Sequence, residues 1–481
     1  MNLYRDLGLF IDGRWSGSPE GAGRSVFDPA SEETVGHIPD ATAEDLDAAL
    51  AAAERGFEIW RRTPAWERSK CLRKVSDLIR ERIDAVATIM VEETAKPRAE
   101  AIGEWNATAD QFEWYAEEAK RVYGHSLDGR QQGVRLNVIF QPVGVVAAFS
   151  AWNFPALLPA RKVAAALAAG CSIILKPASE APGCSMAIVK ACEDAGVPAG
   201  VVNLVTGDSA AISKHLIGSP IVRKISLTGS VPVGKHLMHL AAQGMKKVSM
   251  ELGGHAPVIV FPDADPREAA RLCAAAKFRN AGQVCISPSR FYVHQSIYEP
   301  FSKTFADVAR SLSLGHGRDA AVTMGPMASR RGQDGAKELV RDALERGAKL
   351  LAGGNPPQAF NRGFFFEPTV LGDVPDTAKI MTDEPFAPIA PLTSFTDYDE
   401  VIKRANGLPF GLAGYVFSKD LALSTRAAED LETGMVGVND MLLATAEAPF
   451  GGVKESGMGR EGGMLGIRDY LEAKYIKTKH G

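Results

Sequence analysis

A lone thiol, a carboxylate and an amide stand at turns where they could act on a carbonyl group. Cys285 follows KFRNAGQV in a short polar loop, after a helical pattern has ended. Glu251 closes the apolar stretch VSM, and the Leu252-Gly253-Gly254 turn that follows can point its carboxylate into a cleft. Asn153, in AWNFP, could donate its amide to an oxyanion. A free cysteine has a pKa of roughly 8.5, so a catalytic thiol needs a nearby base or a positive field.

Each of these three residues also has a structural interpretation. A lone cysteine is more often a packing residue than a nucleophile, a glutamate at a strand end is more often solvated, and an asparagine in a turn more often satisfies the backbone. Taken singly, each residue therefore favours a structural role. Only their convergence in space would indicate a catalytic site.

An alternation of strand and helix patterns positions these residues. From about residue 143 the apolar stretches VGVVAAF, CSIILKP, VVNLVTG, VRKISLTG and KKVSMELGG alternate with helical segments. This pattern predicts a parallel sheet with helices on its faces, an α/β fold. Open α/β sheets build their sites where the strands end, so we expect a shared rim for Asn153, Lys176, residues 228–230 and Glu251.

A second α/β region is predicted to begin near Leu252, with PVIVF as a strand. The next helix opens with an N-cap aspartate, Asp265, and a proline at the first helical position, and it runs to about Arg279, which delivers Cys285 to a loop. Polar alternating stretches at 119–140 and 465–481 are predicted as exposed strands. Exposed strand edges usually pair, and a neighbouring subunit is one candidate.

Two glycine-rich segments imitate phosphate-binding motifs. Residues 229–235, GSVPVGK, nearly complete a P-loop but place His236 where a Ser or Thr hydroxyl would hold magnesium. A glycine-rich turn at a helix N-terminus remains, which suits a phosphate. Residues 457–462, GMGREG, form a literal GxGxxG without a βαβ unit around it, and this segment is interpreted as a flexible turn.

Composition narrows the class of protein. The 481 residues are 46% hydrophobic, which is typical of two or three globular domains. Lys plus Arg number 54 against 58 Asp plus Glu, which disfavours a nucleic-acid partner. The N-terminal MNLYRDLGLF lacks the order of a signal peptide, and the longest apolar run is too short for a membrane helix, so a cytoplasmic protein is expected. The six cysteines lack metal-ligand spacing, so no metal is expected.

The motifs together resemble the NAD(P)-dependent aldehyde dehydrogenase superfamily over essentially the whole chain. The matching segments are AWNFP, LKPASEAP, LTGS, MELGG, GQVC, EPFAP and PFGGVKESGMGRE. The resemblance implies a Rossmann-type cofactor domain (1–118 and 141–251), an α/β catalytic domain (252–440) and a small β oligomerisation element (119–140 and 465–481). It also implies a homo-oligomer, either a dimer or a tetramer.

The same resemblance assigns the chemistry. Cys285 is expected to attack the aldehyde, Glu251 to act as the general base, and the Asn153 amide to join the Cys285 backbone N–H as the oxyanion hole. A thiol suits both halves of the reaction, because it adds to the aldehyde and later leaves from a thioester. A catalytically silent protein with this fold is the alternative from another class, and the presence of all three residues argues against it.

The resemblance further implies a nicotinamide cofactor. Lys176 is expected on the adenosine ribose, Ser230 near the pyrophosphate, Glu384 on the nicotinamide ribose and Phe386 against the nicotinamide. Ser179 stands where members that bind NAD carry a glutamate that repels a 2'-phosphate, so NADP is expected to be accepted, with NAD as the alternative. The remaining residues expected at the cofactor are Trp152, Gly207, Gly229 and Leu252.

Within the superfamily the chain resembles the succinate-semialdehyde dehydrogenases. Their two carboxylate-binding arginines correspond to Arg161 and Arg279, and paired guanidinium groups suit a carboxylate. Where those enzymes commonly have a serine, this chain has Ala444 followed by Thr445, so either Thr445 substitutes for the serine or the substrate differs. The alternative is a neutral apolar or aromatic aldehyde, with both arginines structural.

Overall fold

The computed structural model describes residues 7–17 and 23–480. The strands in these ranges, numbered along the chain, are β1 (Leu9–Ile11), β2 (Arg14–Ser16), β3 (Arg24–Phe27), β4 (Thr34–Ile38), β5 (His125–Asp128), β6 (Val134–Pro142), β7 (Val145–Phe149), β8 (Ser172–Lys176), β9 (Val202–Leu204), β10 (Val222–Thr228), β11 (Lys247–Glu251), β12 (Ala256–Val260), β13 (Pro288–His294), β14 (Lys349–Ala352), β15 (Thr369–Gly372), β16 (Ile389–Phe395), β17 (Phe410–Gly411), β18 (Ala413–Phe417), β19 (Met435–Val438), β20 (Val453–Lys454), β21 (Gly457–Met458) and β22 (Leu471–Lys479).

The α-helices in the same ranges are numbered in the same way. They are α1 (Ala43–Trp60), α2 (Ala65–Glu81), α3 (Ile83–Thr94), α4 (Arg98–Glu118), α5 (Leu157–Ala169), α6 (Gly183–Asp194), α7 (Ser209–Gly218), α8 (Val231–Ala242), α9 (Pro266–Phe278), α10 (Tyr298–Ser311), α11 (Arg330–Glu345), α12 (Tyr398–Asn406), α13 (Leu421–Asp430) and α14 (Gly463–Gly466).

The first sheet has the order β2-β1-β9-β8-β7-β10-β11-β21. Its five central strands, β9 to β11 in this order, are parallel, whereas the added edge strands are antiparallel. The chain winds outward from β7 in one direction and then resumes at β10 on the other side of β7. This reversal makes the carboxyl ends of β7 and β10 a topological switch point, where α/β proteins bind ligands. The predicted α/β fold is confirmed.

The second sheet has the order β14-β15-β16-β13-β12-β18-β19, and only the β14 edge is antiparallel. β12 and β13 are buried along nearly their whole length, as expected of strands covered on both faces. Helix α9 follows β12, begins at an Asp265 N-cap that accepts backbone N–H bonds, and ends at Phe278, one residue before the predicted end. The nucleophile loop then leads into β13.

A third sheet, β22-β6-β5, is made from the two stretches predicted as exposed strands. The prediction was wrong at two places, because residues 119–121 and 465–470 are helical. Lys120 and Arg121 pair with carboxylates three residues earlier and prolong the last turn of α4. Ile467 and Tyr470 are both buried in the first core, and their spacing of three is a helical one.

The interpretation of the GMGREG segment, residues 457–462, as a flexible turn was also wrong. Gly457 and Met458 form β21, which pairs antiparallel with the end of β11. A Cβ atom on Gly457 would lie 1.8 Å from the carbonyl oxygen of Met250, so close strand approach requires this glycine. Glu461 at the end of the segment is 3% exposed. The segment therefore closes the first sheet and buries a carboxylate.

The described ranges contain neither a membrane-spanning helix nor a cluster of metal-ligating side chains. No helix within residues 7–17 and 23–480 is long and apolar enough to cross a bilayer. Over the same ranges no group of three His, Cys, Asp or Glu side chains is placed to hold a metal. All six cysteines are free thiols, and only Cys71 and Cys285 are partly exposed.

Candidate active site

A cleft of about 1400 Å³ lies at the carboxyl ends of β7, β8, β10 and β11 and extends to the second sheet. It exceeds the ~300–1,000 Å³ typical of small-molecule sites, so it has room for more than an aldehyde. Thirteen of the predicted site residues line it: Trp152, Asn153, Arg161, Lys176, Ser179, Gly207, Gly229, Ser230, Glu251, Leu252, Cys285, Glu384 and Phe386. Arg279 and Thr445 are not among the lining residues.

A strained loop presents the thiol. Asn280, Ala281 and Gly282 have φ angles of 48°, 53° and 73°, three successive left-handed residues. A Cβ atom on Gly282 would lie 2.1 Å from the carbonyl oxygen of Ala387, so only glycine fits there. The Gln283 side chain braces the loop, donating to the Asn280 carbonyl oxygen at 3.0 Å and accepting from the Ala328 N–H at 2.9 Å. Such strain persists only where the surroundings over-determine it.

Burial raises the pKa of the Cys285 thiol to about 12, and the guanidinium of Arg161 opposes that rise. Glu251 and Glu384 add to the rise, because their negative charges disfavour a neighbouring thiolate. The isolated protein therefore holds Cys285 as a thiol at neutral pH. Deprotonation must accompany attack or follow a change in the surroundings of the thiol.

The side chain of Asn153 reaches the nucleophile loop. Its Nδ2 donates to the carbonyl oxygen of Gln283 at 3.1 Å, and the residue is 4% exposed. A primary amide has two N–H groups, so the second remains available to an oxygen in the cleft. One anchored and one free N–H is the arrangement that an oxyanion donor needs.

Glu251 is the last residue of β11 and is 3% exposed. Neither carboxylate oxygen hydrogen-bonds to any residue within the described ranges. Burial raises its pKa well above the ordinary value, and repulsion from Glu461 adds to this. Arg161 and Lys162 oppose the rise. A buried carboxyl of raised pKa beside a cleft is suited to accept a proton near neutral pH.

Sequence reasoning missed two residues that shape this end of the cleft. The ring of Phe450 lies under the Arg161 guanidinium, with Cζ 4.0 Å from the ring centroid. Glu461 forms an ion pair with Lys162, and both side chains are almost fully buried. Two features of the sequence could have indicated these residues. Arg161 and Lys162 interrupt an otherwise apolar helix and require partners, and both Phe450 and Glu461 belong to the quoted motif PFGGVKESGMGRE.

The other two predicted substrate residues lie elsewhere. Arg279 is partly exposed, and its guanidinium stacks on Phe154, with Cζ 5.1 Å from the ring centroid. Thr445 is half-buried, and its backbone N–H donates to the Leu443 carbonyl oxygen at 3.2 Å. Their substrate roles therefore stay predictions.

The cofactor end of the cleft fits an adenosine and a pyrophosphate. Lys176 Nζ is held by Ser209 Oγ at 2.6 Å, and burial lowers the pKa of Lys176. Ser230 is the N-cap of α8 but makes no side-chain cap hydrogen bond, which leaves its hydroxyl and the N–H of Val231 available to a phosphate. Arg24, which sequence reasoning did not select, lines the same end and pairs with Asp40 at 3.2 Å.

The opposite end of the cleft fits a second ribose and an aromatic ring. Glu384 accepts the Gly254 N–H at 3.2 Å, and burial raises the pKa of Glu384 to about 7. Phe386 has a φ of 35° and packs edge-on against Trp152, with the ring centroids 5.7 Å apart. A strained aromatic residue at a cleft wall is a built feature of the site. A bound nicotinamide would supply the hydride acceptor for aldehyde oxidation.

The comparisons with known proteins agree with this geometry. Residues 15–476 match the aldehyde dehydrogenase family, and the chain belongs to that family. It is 45% identical to the NADP(+) succinate-semialdehyde dehydrogenase GabD of Escherichia coli K12 over 99% of this chain and 98% of the relative. It is 47% identical to the 3-sulfolactaldehyde dehydrogenase of Pseudomonas putida over 97% and 96%. A crystal structure of succinate-semialdehyde dehydrogenase from Burkholderia pseudomallei superposes with a TM-score of 0.96 at 42% identity, covering 98% of each chain.

Proposed function

We propose that the protein oxidises an aldehyde with an anionic far end, such as succinate semialdehyde, to the corresponding dicarboxylate. The observation that carries the proposal is Arg161. This residue is 2% exposed and lines the cleft, its guanidinium forms no ion pair within the described ranges, and its buried Nε has no hydrogen-bond partner there. A buried guanidinium without a counter-ion is costly, so it calls for an anionic ligand.

The surroundings of Arg161 favour a substrate anion over a protein one. The Arg161 charge acts to lower the pKa of Glu251, yet neither Glu251 nor Glu461 forms an ion pair with Arg161 within the described ranges, and Glu461 pairs with Lys162 instead. The Phe450 ring lies against the guanidinium, with Cζ 4.0 Å from the ring centroid, and it supplies a cation–π contact but no counter-ion. The names of the two relatives, a succinate semialdehyde and a 3-sulfolactaldehyde enzyme, also describe aldehydes with an anionic group.

The proposed chemistry uses residues of this chain at each step. The thiol proton of Cys285 is released to water as its sulfur bonds to the aldehyde carbon, and the resulting oxyanion accepts hydrogen bonds from the Asn153 amide and the Cys285 backbone N–H. Loss of a hydride from that carbon, which a bound NADP+ or NAD+ would accept, leaves a thioester on Cys285. Glu251 then takes a proton from water, whose oxygen bonds to the acyl carbon while the C–S bond breaks.

Replacing Arg161 with methionine is expected to lower kcat/KM for succinate semialdehyde by about 10²-fold, since a buried charge pair contributes roughly 2–5 kcal/mol. Butanal, which has the same chain length without the carboxylate, should lose far less. The measurement is the kcat/KM ratio of the two aldehydes for each variant.

Arg279→Met is the matched control, because it removes an arginine that stacks on Phe154 outside the cleft lining. An unchanged substrate ratio in Arg161→Met would contradict the proposal and favour the neutral-aldehyde alternative. A selective loss in Arg279→Met would instead make Arg279 a second carboxylate ligand.

We propose that NADP is the favoured cofactor, because Ser179 adds no third carboxylate to Glu180 and Asp208, which line the adenosine end near Lys176. Ser179→Glu is expected to weaken NADP binding by about 10²-fold, since like-charge contacts cost several kcal/mol, and to spare NAD. Quenching of protein fluorescence gives both dissociation constants. Ser179→Gln is the control of equal size without charge, and equal losses in both variants would exclude charge as the cause.

We also propose that the chain is divided into the domains predicted from its sequence. We further propose that it forms a cytoplasmic homo-oligomer, assembled through the third sheet. Its outer strand β22 is nine residues long and mostly exposed, with Tyr475 59% and Ile476 39% accessible. Natural proteins seldom leave a long edge strand unpaired. Sedimentation showing a strict monomer at micromolar concentration would contradict this assembly.

A further inference from the structure

A buried ion pair lies behind the cleft and is not among its lining residues. Lys96 Nζ and Glu104 Oε2 are 2.7 Å apart, and their side chains are 2% and 1% exposed. Removing two charges from water costs several kcal/mol per ion, and their attraction often fails to repay it. Stability alone therefore does not explain the Lys96–Glu104 pair, whereas its other hydrogen bonds indicate a role in positioning the neighbouring turn.

The pair grips both ends of the turn that carries Asn153. Lys96 Nζ donates to the Asn153 carbonyl oxygen at 3.0 Å. Glu104 Oε1 accepts the backbone N–H groups of Ala156 at 2.8 Å and Leu157 at 3.2 Å. These N–H groups open helix α5, which would otherwise leave them without partners. One ion pair thus fixes the peptide after Asn153 and the start of the helix.

The same carbonyl oxygen ties this turn to the nucleophile loop. Asn280 Nδ2 donates to the Asn153 carbonyl oxygen at 3.1 Å and to the Gln283 carbonyl oxygen at 3.2 Å. The backbone N–H of Asn280 in turn donates to Glu100 Oε2 at 3.0 Å, from the first turn of α4. The segment 96–104 therefore holds two separate loops in one fixed relation, one with the amide and one with the thiol.

Phe154 completes the arrangement. Its ring contacts two cations, with Lys96 Nζ 4.9 Å and Arg279 Cζ 5.1 Å from the centroid. The position of Arg279 thus gives it a place in the framework that supports the turn.

We propose that Lys96, held by Glu104, is a positioning residue that acts through Asn153: it orients the peptide so that the free amide N–H points to the oxygen of the reacting carbonyl. Misplacement of such a group by about 1 Å can cost 10²-fold in rate. The proposal rests on the oxyanion role proposed for Asn153. Lys96 itself touches no reacting atom.

A double-mutant cycle between Lys96→Met and Asn153→Ala tests this inference. Asn153→Ala alone should lower kcat by about 10²–10³-fold, and Lys96→Met alone by about 10–100-fold. The double variant should be no slower than Asn153→Ala, because Lys96 would then have nothing to orient. Two losses that multiply would overturn the proposal, since a general structural defect acts whether or not the amide is present.

Two further measurements separate the possible failures. A wild-type rate for Asn153→Ala would overturn the oxyanion role and with it the positioning role, whereas a slow Asn153→Ala with an unaffected Lys96→Met would overturn the positioning role alone. Lys96→Met leaves Glu104 buried without a partner, so Lys96→Met/Glu104→Gln is the second variant. The Lys96→Met/Glu104→Gln protein should have the melting temperature and the NADP dissociation constant of the wild type but the reduced rate of Lys96→Met. A wild-type rate in this double variant would overturn the proposal.

Discussion

Cys285→Ala is expected to lose aldehyde oxidation by about 10⁴-fold or more, as for other enzymes deprived of their nucleophile. Alanine offers no atom that can bond to the aldehyde carbon, and the described residues place no other thiol on the cleft wall. NADP affinity should be unchanged, because the cofactor end of the cleft is built by β8, β9, β10 and α8. Initial rates of NADPH formation and a fluorescence titration measure the two quantities.

Cys71→Ala is the control for this variant, since Cys71 is the other partly exposed thiol and lies on α2, away from the cleft. It should keep the wild-type rate. If Cys285→Ala retained more than about 1% of the rate, another group would have to form the covalent bond, and the assignment of Cys285 would be wrong.

The part of the site that the sequence predicts is the part that follows from the strand order of the first sheet and from the edge where its parallel strands end. Alternating apolar and helical segments are local signals, and parallel strands bring their carboxyl ends to one edge. Asn153 and Glu251 therefore meet at the rim as expected, and the cleft residues follow from their places after strands. Locally encoded features of this kind are readable without any knowledge of the third dimension.

The features that the sequence did not predict depend on contacts between distant segments. Lys96 binds the carbonyl oxygen of a residue 57 positions later, and Lys162 pairs with Glu461, 299 positions later. The periodicity of the sequence does not predict partners that lie so far apart along the chain. The left-handed run at residues 280–282 was equally hidden, because its backbone is imposed by neighbours such as the Ala387 carbonyl oxygen. Long-range packing decides these details.

The adjacent cations Arg161 and Lys162 show how one local element serves two purposes. Consecutive residues on a helix point about 100° apart, so α5 directs the two charges to different neighbours. Lys162 forms an ion pair with the buried Glu461. Arg161 faces the cleft and has no ion-pair partner within the described ranges. Both cations stabilise the ionised form of Glu251, against the burial and the Glu461 charge that oppose it. The proposed binding of a substrate anion by Arg161 would therefore be coupled to the base strength of Glu251.

Glu251→Gln is expected to stop the reaction after the first half. Glutamine keeps the size of the side chain but cannot take a proton from water, and loss of a general base lowers the rate by about 10²–10⁴-fold. Thioester formation does not need that water. A rapid-mixing experiment should therefore show one NADPH per active site, followed by near arrest, with the acyl group retained on Cys285 in the mass spectrum.

The pH dependence provides the second test of Glu251. Burial and Glu461 raise the pKa of this carboxyl well above its ordinary value, so the ionised base becomes more abundant as pH rises. The wild-type kcat should accordingly rise with pH through the pKa of Glu251, and this limb should be absent from the slow residual rate of Glu251→Gln. Glu455→Gln, which alters only an exposed pair with Lys235, is the control. Steady turnover by Glu251→Gln without a burst would mean that another residue activates the water, and Glu461 would be the first alternative because it is the buried carboxylate whose charge acts on Glu251.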